Sequence, residues 1–137
     1  MTVPRLENIF RAQVHAGLVD RDVETFVALF SDDCVVQDIA EGMPKRGLRE
    51  LRDWIVSYHA VMTNTKIEYL TIASSGSRVV GEFILRGVYL GQGAAAGGTP
   101  VELHYCVVDE VRNGLVAVET VYWAPQELDR QLSSRLS

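Results

Sequence analysis

The stretch ALFSDDCVVQDIAEGMPKRG, residues 28–47, decides the fold because its pattern changes from helical to extended within a few positions. Its first residues, Ala28 to Phe30, complete the apolar face of a predicted helix. A short strand is predicted over residues 34–38, and glycine and proline then indicate a loop. The last strand residue is Asp38, an acid at the end of an apolar run, which makes it the first candidate functional residue.

Helical patterns flank this stretch, and strand patterns follow it. Apolar residues at helical spacing predict three helices, over residues 4–18, from a cap at Asp20 or Asp22 to Phe30, and over residues 48–62. Segments rich in β-branched and aromatic residues predict four further strands, over residues 66–73, 78–91, 100–111 and 115–123. A flexible loop is expected at residues 91–99, a hairpin turn at Asn113-Gly114, and a short helix after Pro125.

This order of elements predicts an α+β domain, in which three N-terminal helices pack on one face of a curved antiparallel sheet. Because the helices close one side of a bent sheet, we expect a cone-shaped cavity suited to a small molecule. The 137 residues fit a single domain over 1–137, and a hydrophobic fraction of 47% argues against disorder.

Composition narrows the partners and the location. A net charge of −5 argues against a nucleic-acid partner. We expect no membrane partner, because no apolar run approaches the roughly 20 residues of a membrane span. The first residues lack a signal-peptide core, so a cytoplasmic protein is expected. Cys34 and Cys106 lie in apolar runs and are expected to be reduced. The three histidines have no metal-ligand spacing, so neither a metal nor another cofactor is expected.

Three acid or base candidates follow from the residues themselves. Asp38 is a loop cap, an exposed strand-end acid or a cavity base, and burial in an apolar cavity would raise its pKa. Strand alternation places Glu119 on the same face as Trp123, so both face either the cavity or the outside of the sheet. His104 and Tyr105 alternate, so at most one of them lines the cavity.

A longer stretch, AGLVDRDVETFVALFSDDCVVQDIAEGMPKRG at residues 16–47, resembles the signature of the ketosteroid isomerase and SnoaL-like branch of the NTF2-like superfamily. The matching positions are Leu29-Phe30, Asp32-Asp33, Asp38 and Gly47, and residues 111–123 resemble the closing hairpin. The resemblance implies a cone-shaped NTF2-like fold with a curved, mostly antiparallel sheet. It defines the reaction poorly, since this superfamily includes isomerases, cyclases, epoxide hydrolases and binding proteins.

The resemblance also implies roles for individual residues. Asp38 matches the general base of ketosteroid isomerases, whose logic is one of the standard cases of pKa tuning. The two oxyanion donors of those enzymes fall at Val14 and at about Val107, so both are missing. Glu119 replaces the histidine of SnoaL-like cyclases. The chain is closest in kind to polyether epoxide hydrolase/cyclases, which pair the first-strand aspartate with a second acid, and Glu68 is the candidate for that acid.

Together these observations predict a cofactor-independent acid/base enzyme acting on an apolar, polyketide- or terpenoid-like molecule. Asp38 would be the general base, with Glu68, His104 or Glu119 as its partner. Val14 and Val107 and five aromatic residues would bind the substrate, the aromatic ones being Trp54, Tyr58, Phe83, Tyr105 and Trp123. The reaction would be epoxide opening with cyclisation, or a related isomerisation. The alternative is a non-catalytic binding module, which a cavity with Asp38 as its lone polar group would favour. A homodimer through the convex sheet face is also expected, because the family pairs there.

Overall fold

The computed structural model of the protein describes residues 5–136, with side chains described up to Ser134. The helices are α1 (Leu6–Val14), continued by a π-helical segment (His15–Val19), α2 (Val23–Ala28), α3 (Gly47–Val61) and α4 (Pro125–Leu136). The strands of this part of the chain are β1 (Phe30–Asp38), β2 (Lys45–Arg46), β3 (Met62–Ser75), β4 (Arg78–Tyr89), β5 (Thr99–Arg112) and β6 (Leu115–Tyr122). The predicted order of the helices and of the five predicted strands is thus confirmed, whereas the two-residue β2 forms where only a loop was predicted. Pro4, at the predicted start of the first helix, lies outside the described residues.

Several element boundaries differ from the sequence prediction, and two of them change a residue from helix to strand. Phe30, predicted to end the second helix, instead begins β1, because its backbone pairs with Val116 of the last strand. Strand β1 therefore has nine residues, starting four positions earlier than predicted. The other boundary lies at Met62, which begins β3 rather than ending α3. Of the two candidate caps, Asp22 is the N-cap of α2, since its carboxylate accepts a hydrogen bond from the backbone N–H of Thr25 at 3.1 Å.

The sheet has the strand order β2-β1-β6-β5-β4-β3 within the described residues. Strands β1 and β6 are parallel, whereas every other neighbouring pair is antiparallel, which confirms a mostly antiparallel sheet. The parallel pairing places Val36 opposite Glu119 and Asp38 opposite Val121. It therefore brings the end of the first strand next to the end of the last one.

Helix α1 packs directly on β4 through a glycine. A Cβ atom at Gly81 would lie 2.0 Å from the ring of Phe10, so only glycine leaves room for this ring. Phe10 is fully buried, and its ring also packs against Phe83, with the centroids 6.4 Å apart. This contact fixes the height of α1 above the sheet, and with it the position of Gln13, one turn further along the helix.

Replacing Gly81→Ala should therefore destabilise the protein by roughly 1–3 kcal/mol, the usual cost of overpacking a core. Urea unfolding would measure this loss. The matched test is the same change in a Phe10→Ala background, where the space is already empty. There the added methyl group should cost little, and equal costs in the two backgrounds would show that the Phe10 contact does not require glycine.

Helix α4 covers an open edge of β5. Strand β6 pairs with β5 only from Cys106 onwards, so the part of the chain that the structure describes places no strand beside the first half of β5 on that side. At Glu102, the side chain of Gln131 makes the hydrogen bonds that a neighbouring strand would otherwise make. Its oxygen accepts from the N–H of Glu102 at 2.8 Å, and its amide nitrogen donates to the Glu102 carbonyl at 2.6 Å. The same helix places Leu128 at the cavity described below.

Two further observations bear on the expectations from composition. Cys34 is buried, Cys106 is half-buried, and both are free thiols. None of the helices in the described part of the chain is both long enough and apolar enough to cross a membrane.

The convex face of the sheet carries a mixed row of apolar and polar side chains. Val80, Val108 and Thr120 are neighbours across β4, β5 and β6 on this face. The side chain of Val80 is 38% exposed, and Tyr122 beside this row is 46% exposed. Exposed apolar side chains on a sheet face are typical of an interface, and dimerisation through this face stays a prediction.

We expect sedimentation at micromolar concentration to give twice the 15.2 kDa of one chain. The substitution Val80→Asp should shift the protein to the monomer, because it places a charge in the middle of the face. Met43→Asp is the control, since Met43 is 72% exposed in the loop after β1, away from this face. A wild-type monomer, or a dimer unaffected by Val80→Asp, would contradict the prediction.

Candidate active site

A cavity of about 370 Å³ lies between the concave face of the sheet and the helices. This volume falls in the range of small-molecule sites, about 300–1,000 Å³. Most of the lining is apolar or aromatic, and the described residues contribute no lysine, arginine or histidine to it. The lining residues are Gln13, Leu18, Phe26, Asp38, Glu41, Trp54, Ile55, Ser57, Tyr58, Val61, Met62, Phe83, Leu85, Tyr89, Leu103, Tyr105, Glu119, Val121, Trp123 and Leu128.

Asp38 lies in this cavity at the end of β1, and its residue exposure is only 8%. The carboxylate accepts two kinds of hydrogen bond. The backbone N–H of Ala40 donates to Oδ1 at 2.9 Å, and the indole Nε1 of Trp123 donates to Oδ1 at 3.0 Å and Oδ2 at 3.3 Å. Burial raises the pKa of Asp38, and these hydrogen bonds offset part of the rise. Asp38 thus combines a local turn contact with a position inside the cavity.

Aromatic rings form one wall of the cavity. The rings of Phe83 and Tyr105 stack with centroids 5.5 Å apart, and those of Tyr105 and Trp123 stack at 5.7 Å. Helix α3 contributes Trp54 and Tyr58 to the lining, and burial raises the pKa of Tyr58 to about 12. The wall is therefore flat, neutral and apolar, and its hydrogen bond to Asp38 through Trp123 fixes the direction of the carboxylate.

Two further acids lie buried near Asp38. Glu119 lines the cavity and is 2% exposed, and Asp109 lies opposite it on β5 with no exposed surface. Gln13 of α1 donates from Nε2 to Oδ2 of Asp109 at 3.1 Å. Burial raises the pKa of both carboxyl groups, and the pKa of Glu119 is raised further by the charge of Asp109. The cavity therefore holds acids in two different environments, one hydrogen-bonded by N–H donors and one beside a like charge.

Sequence reasoning missed Asp109 and Gln13, although each left a signal. Asp109 continues the alternation of Tyr105 and Val107 towards the concave face of the sheet. Gln13 falls at helical spacing within the apolar face of the first helix, where a polar residue needs a buried partner.

The sequence of this chain matches the profile of a known domain family. The profile of the SnoaL-like domain matches residues 10–119, which is most of the chain. The chain belongs to the SnoaL-like domain family. No curated protein matches the sequence.

Solved structures similar to this SnoaL-like domain share its fold at low sequence identity. A candidate SnoaL-like polyketide cyclase from Shewanella putrefaciens has a TM-score of 0.85 at 16% identity, covering 97% of this chain and 99% of the other. A protein of ketosteroid isomerase-like fold from Catenulispora acidiphila, in complex with trimethylamine, has a TM-score of 0.80 at 20% identity, covering 96% and 95%. An epoxide hydrolase of the LEH-like type from M. tuberculosis has a TM-score of 0.75 at 20% identity, covering 94% and 90%. These similarities show the cone-shaped NTF2-like fold that the sequence predicted.

Two predicted partners of Asp38 lie on the wrong side of the sheet. Glu68 is exposed on the outer face of this SnoaL-like domain, where Arg86 donates to its Oε1 at 2.8 Å. His104 is also exposed there, with Nε2 2.7 Å from Oε2 of Glu82. Both predictions are wrong because the strand alternation that turns Tyr105 into the cavity turns His104 away, and Ile67 and Tyr69 turn inward around Glu68.

The two predicted oxyanion positions do not line the cavity either. Val14 is buried in the core, and its neighbour Gln13 is the residue of α1 that lines the cavity. Val107 is buried too, opposite Gly81, where the ring of Phe10 fills the space above the sheet. The five predicted aromatic residues and the acids Asp38 and Glu119 do lie in the cavity lining.

Both tryptophans of the SnoaL-like domain line this cavity, so intrinsic fluorescence reports on it directly. We expect a polycyclic steroid ketone to change the emission saturably, because the ligand would contact Trp54 or Trp123. The variants Trp54→Phe and Trp123→Phe should assign the signal to one ring. A broad panel of apolar ligands that leaves the emission unchanged would contradict the interpretation of this cavity as a binding site.

Proposed function

We propose that this SnoaL-like domain is a cofactor-independent enzyme that transfers protons on an apolar, polyketide- or terpenoid-like small molecule. The observation that carries this proposal is the presence of Asp38 and Glu119 in one apolar cavity, on adjacent parallel strands. Glu119 lies two residues deeper along the strand direction, roughly 7 Å from the level of Asp38. A substrate between them could lose a proton at one end and gain one at the other.

The most specific reaction is epoxide opening with ring closure. Asp38 takes the proton of a substrate hydroxyl, whose oxygen forms a bond to an epoxide carbon. The carbon–oxygen bond of the epoxide breaks, and its oxygen takes the proton of Glu119. Asp38 ends protonated and Glu119 ionised, and proton exchange with water restores both. The substrate is isomerised, so no oxidant, reductant or metal is required.

A related isomerisation uses the same two groups. Asp38 would take a proton from a carbon next to a carbonyl group, and Glu119 would donate a hydrogen bond to the developing enolate oxygen. Both reactions need one carboxyl group ionised and one protonated, a pairing that different environments can produce. The hydrogen bonds to Asp38 favour its charged form, whereas burial and a like charge favour the neutral form of Glu119.

The alternative is a non-catalytic binding module with the same cone. Such a module needs no polar group besides the ligand's own partner, and a lone Asp38 would have favoured it. Instead, Glu119 lines the same cavity and lies beside Asp109. Burying two more acids costs stability without adding to the affinity for an apolar ligand, so their presence favours the enzyme.

The substitution Asp38→Asn tests the general base. Asparagine keeps the shape and can still accept from Ala40, but it cannot take up the substrate proton. With aryl-substituted 4,5-epoxy alcohols and β,γ-unsaturated ketones as substrates, we expect kcat to fall by roughly 100-fold or more. The melting temperature at pH 7 should stay the same or rise. The raised pKa means that folding favours the protonated acid, so stability is lost as the pH rises through the folded pKa, and asparagine removes this loss.

Asp33→Asn is the matched control, because Asp33 lies on the same strand but is exposed outside the cavity. It should leave kcat unchanged. If Asp38→Asn melts early and turns over at the wild-type rate, Asp38 is a structural cap and the proposal fails. If neither substrate class is turned over although both bind, the binding module is the correct reading.

A further inference from the structure

The buried pair formed by Asp109 and Glu119 has no basic partner in the described part of the chain. The two residues are direct neighbours across β5 and β6, and their exposed fractions are 0% and 2%. Buried acids are normally paired with a cation or heavily hydrogen-bonded. Here the described neighbours that act on Glu119 are Asp109, Cys34 and Gln13, none of which carries a positive charge.

The buried pair has one hydrogen-bond donor too few if both carboxyl groups are ionised. Gln13 supplies a donor to Oδ2 of Asp109. Oδ1 of Asp109 and Oε1 of Glu119 are both buried, and no donor from the described residues reaches either of them. Two ionised carboxylates would leave both oxygens unsatisfied and place like charges side by side. A single proton between the two groups satisfies both oxygens and removes one charge.

We propose that Asp109 and Gln13 are positioning residues that keep one proton on Glu119, so that the cavity offers the substrate a carboxylic acid. This inference rests on the proposed function only for the use of that proton. The proton itself follows from the buried pair and its unsatisfied oxygens.

The environment decides which acid carries the proton. Gln13 donates to Asp109 and so stabilises its charged form, and its effect on Glu119 is the smallest of those acting there. Burial first and the charge of Asp109 second raise the pKa of Glu119 well above its ordinary value. From β1, Cys34 faces the pair as an uncharged thiol, because burial raises its pKa. The proton therefore belongs to Glu119, which donates it to Asp109 while the cavity is empty and turns it to the acceptor oxygen of a bound substrate.

The pair also limits the class of substrate. The ligand atom at Glu119 must be a neutral acceptor, such as an epoxide, ether or carbonyl oxygen. A ligand carboxylate at this end would add a third negative group beside Asp38 and Asp109, and no basic side chain of residues 5–134 lines the cavity to balance it. We therefore infer that the substrate is uncharged at the end that enters the cavity first.

The proton can be observed without any substrate. In the wild-type protein, we expect the side-chain carboxyl carbon of Glu119 in a 13C NMR titration to stay in its protonated position at pH 7. An ordinary glutamate would titrate near 4.3. In Asp109→Asn, the charge is gone and the amide can donate to Glu119, so its midpoint should fall by at least one pH unit. Asp38→Asn is the matched control, since it makes the same change on β1 and should leave the Glu119 midpoint in place.

Activity adds a second readout. Asp109→Asn should lower kcat about 10-fold at pH 8, because Glu119 of the variant would be ionised there. As the pH falls and Glu119 of the variant takes up its proton, the kcat of the variant should approach that of the wild type. A purely structural role would lower kcat equally at every pH. Wild-type Glu119 that titrates near 4.3 overturns the inference, even if Asp109→Asn does not fold. A shared proton without turnover of any substrate would support the inference and count against the proposed function instead.

Discussion

The parallel pairing of β1 with β6 is the constraint on which the site depends. Antiparallel neighbours in this sheet follow one another along the chain, whereas β1 and β6 are far apart in sequence and are brought together by the strands between them. Their register places Asp38 beside Val121, two residues before Trp123, whose indole N–H donates to the carboxylate. A shift of one residue would turn Asp38 to the other face of the sheet and separate it from both Trp123 and Glu119.

Asp38 and Glu119 differ in their polar neighbours as well as in their burial, and both differences favour the neutral form of Glu119 over that of Asp38. Asp38 is held by two N–H groups, which stabilise a charge. Glu119 faces another acid, which opposes a second charge. Both arrangements cost folding free energy, since each keeps an ionisable group away from water. The closely packed contact of Phe10 with Gly81 and the aromatic stack around Tyr105 belong to the surrounding core that offsets this cost.

The fold was accessible from sequence because it rests on local patterns. The helical spacing, the change of period after α3 and the Asn113-Gly114 turn each predict one element, and the motif around Asp38 identifies the family. The site was only partly accessible. Alternation correctly placed Trp123 and Glu119 on one face, but it could not tell the concave from the convex side. Glu68 and His104 were therefore assigned to the cavity by alignment and chemistry, although the pleat turns both outward.

Asp109 and Gln13 illustrate the other limit. Their hydrogen bond joins positions 96 residues apart, and it depends on how closely α1 approaches β4. That distance is set by the ring of Phe10 lying over Gly81. Such a contact depends on the shapes of the packed residues, which the spacing of apolar residues in the sequence does not reveal. A polar residue on an apolar helix face shows that a partner exists, but only the packed structure shows which one.

The contact between Gln131 and Glu102 has a consequence for the behaviour of the chain among its own copies. Half of β5 would otherwise present unpaired N–H and C=O groups, a template onto which a strand of a second molecule can add. The side-chain amide of Gln131 on α4 pairs with both the N–H and the C=O of Glu102, so these two backbone groups cannot pair with another strand. The C-terminal helix thus covers part of a sheet edge with which a second molecule could otherwise pair, a role separate from any chemistry in the cavity it borders.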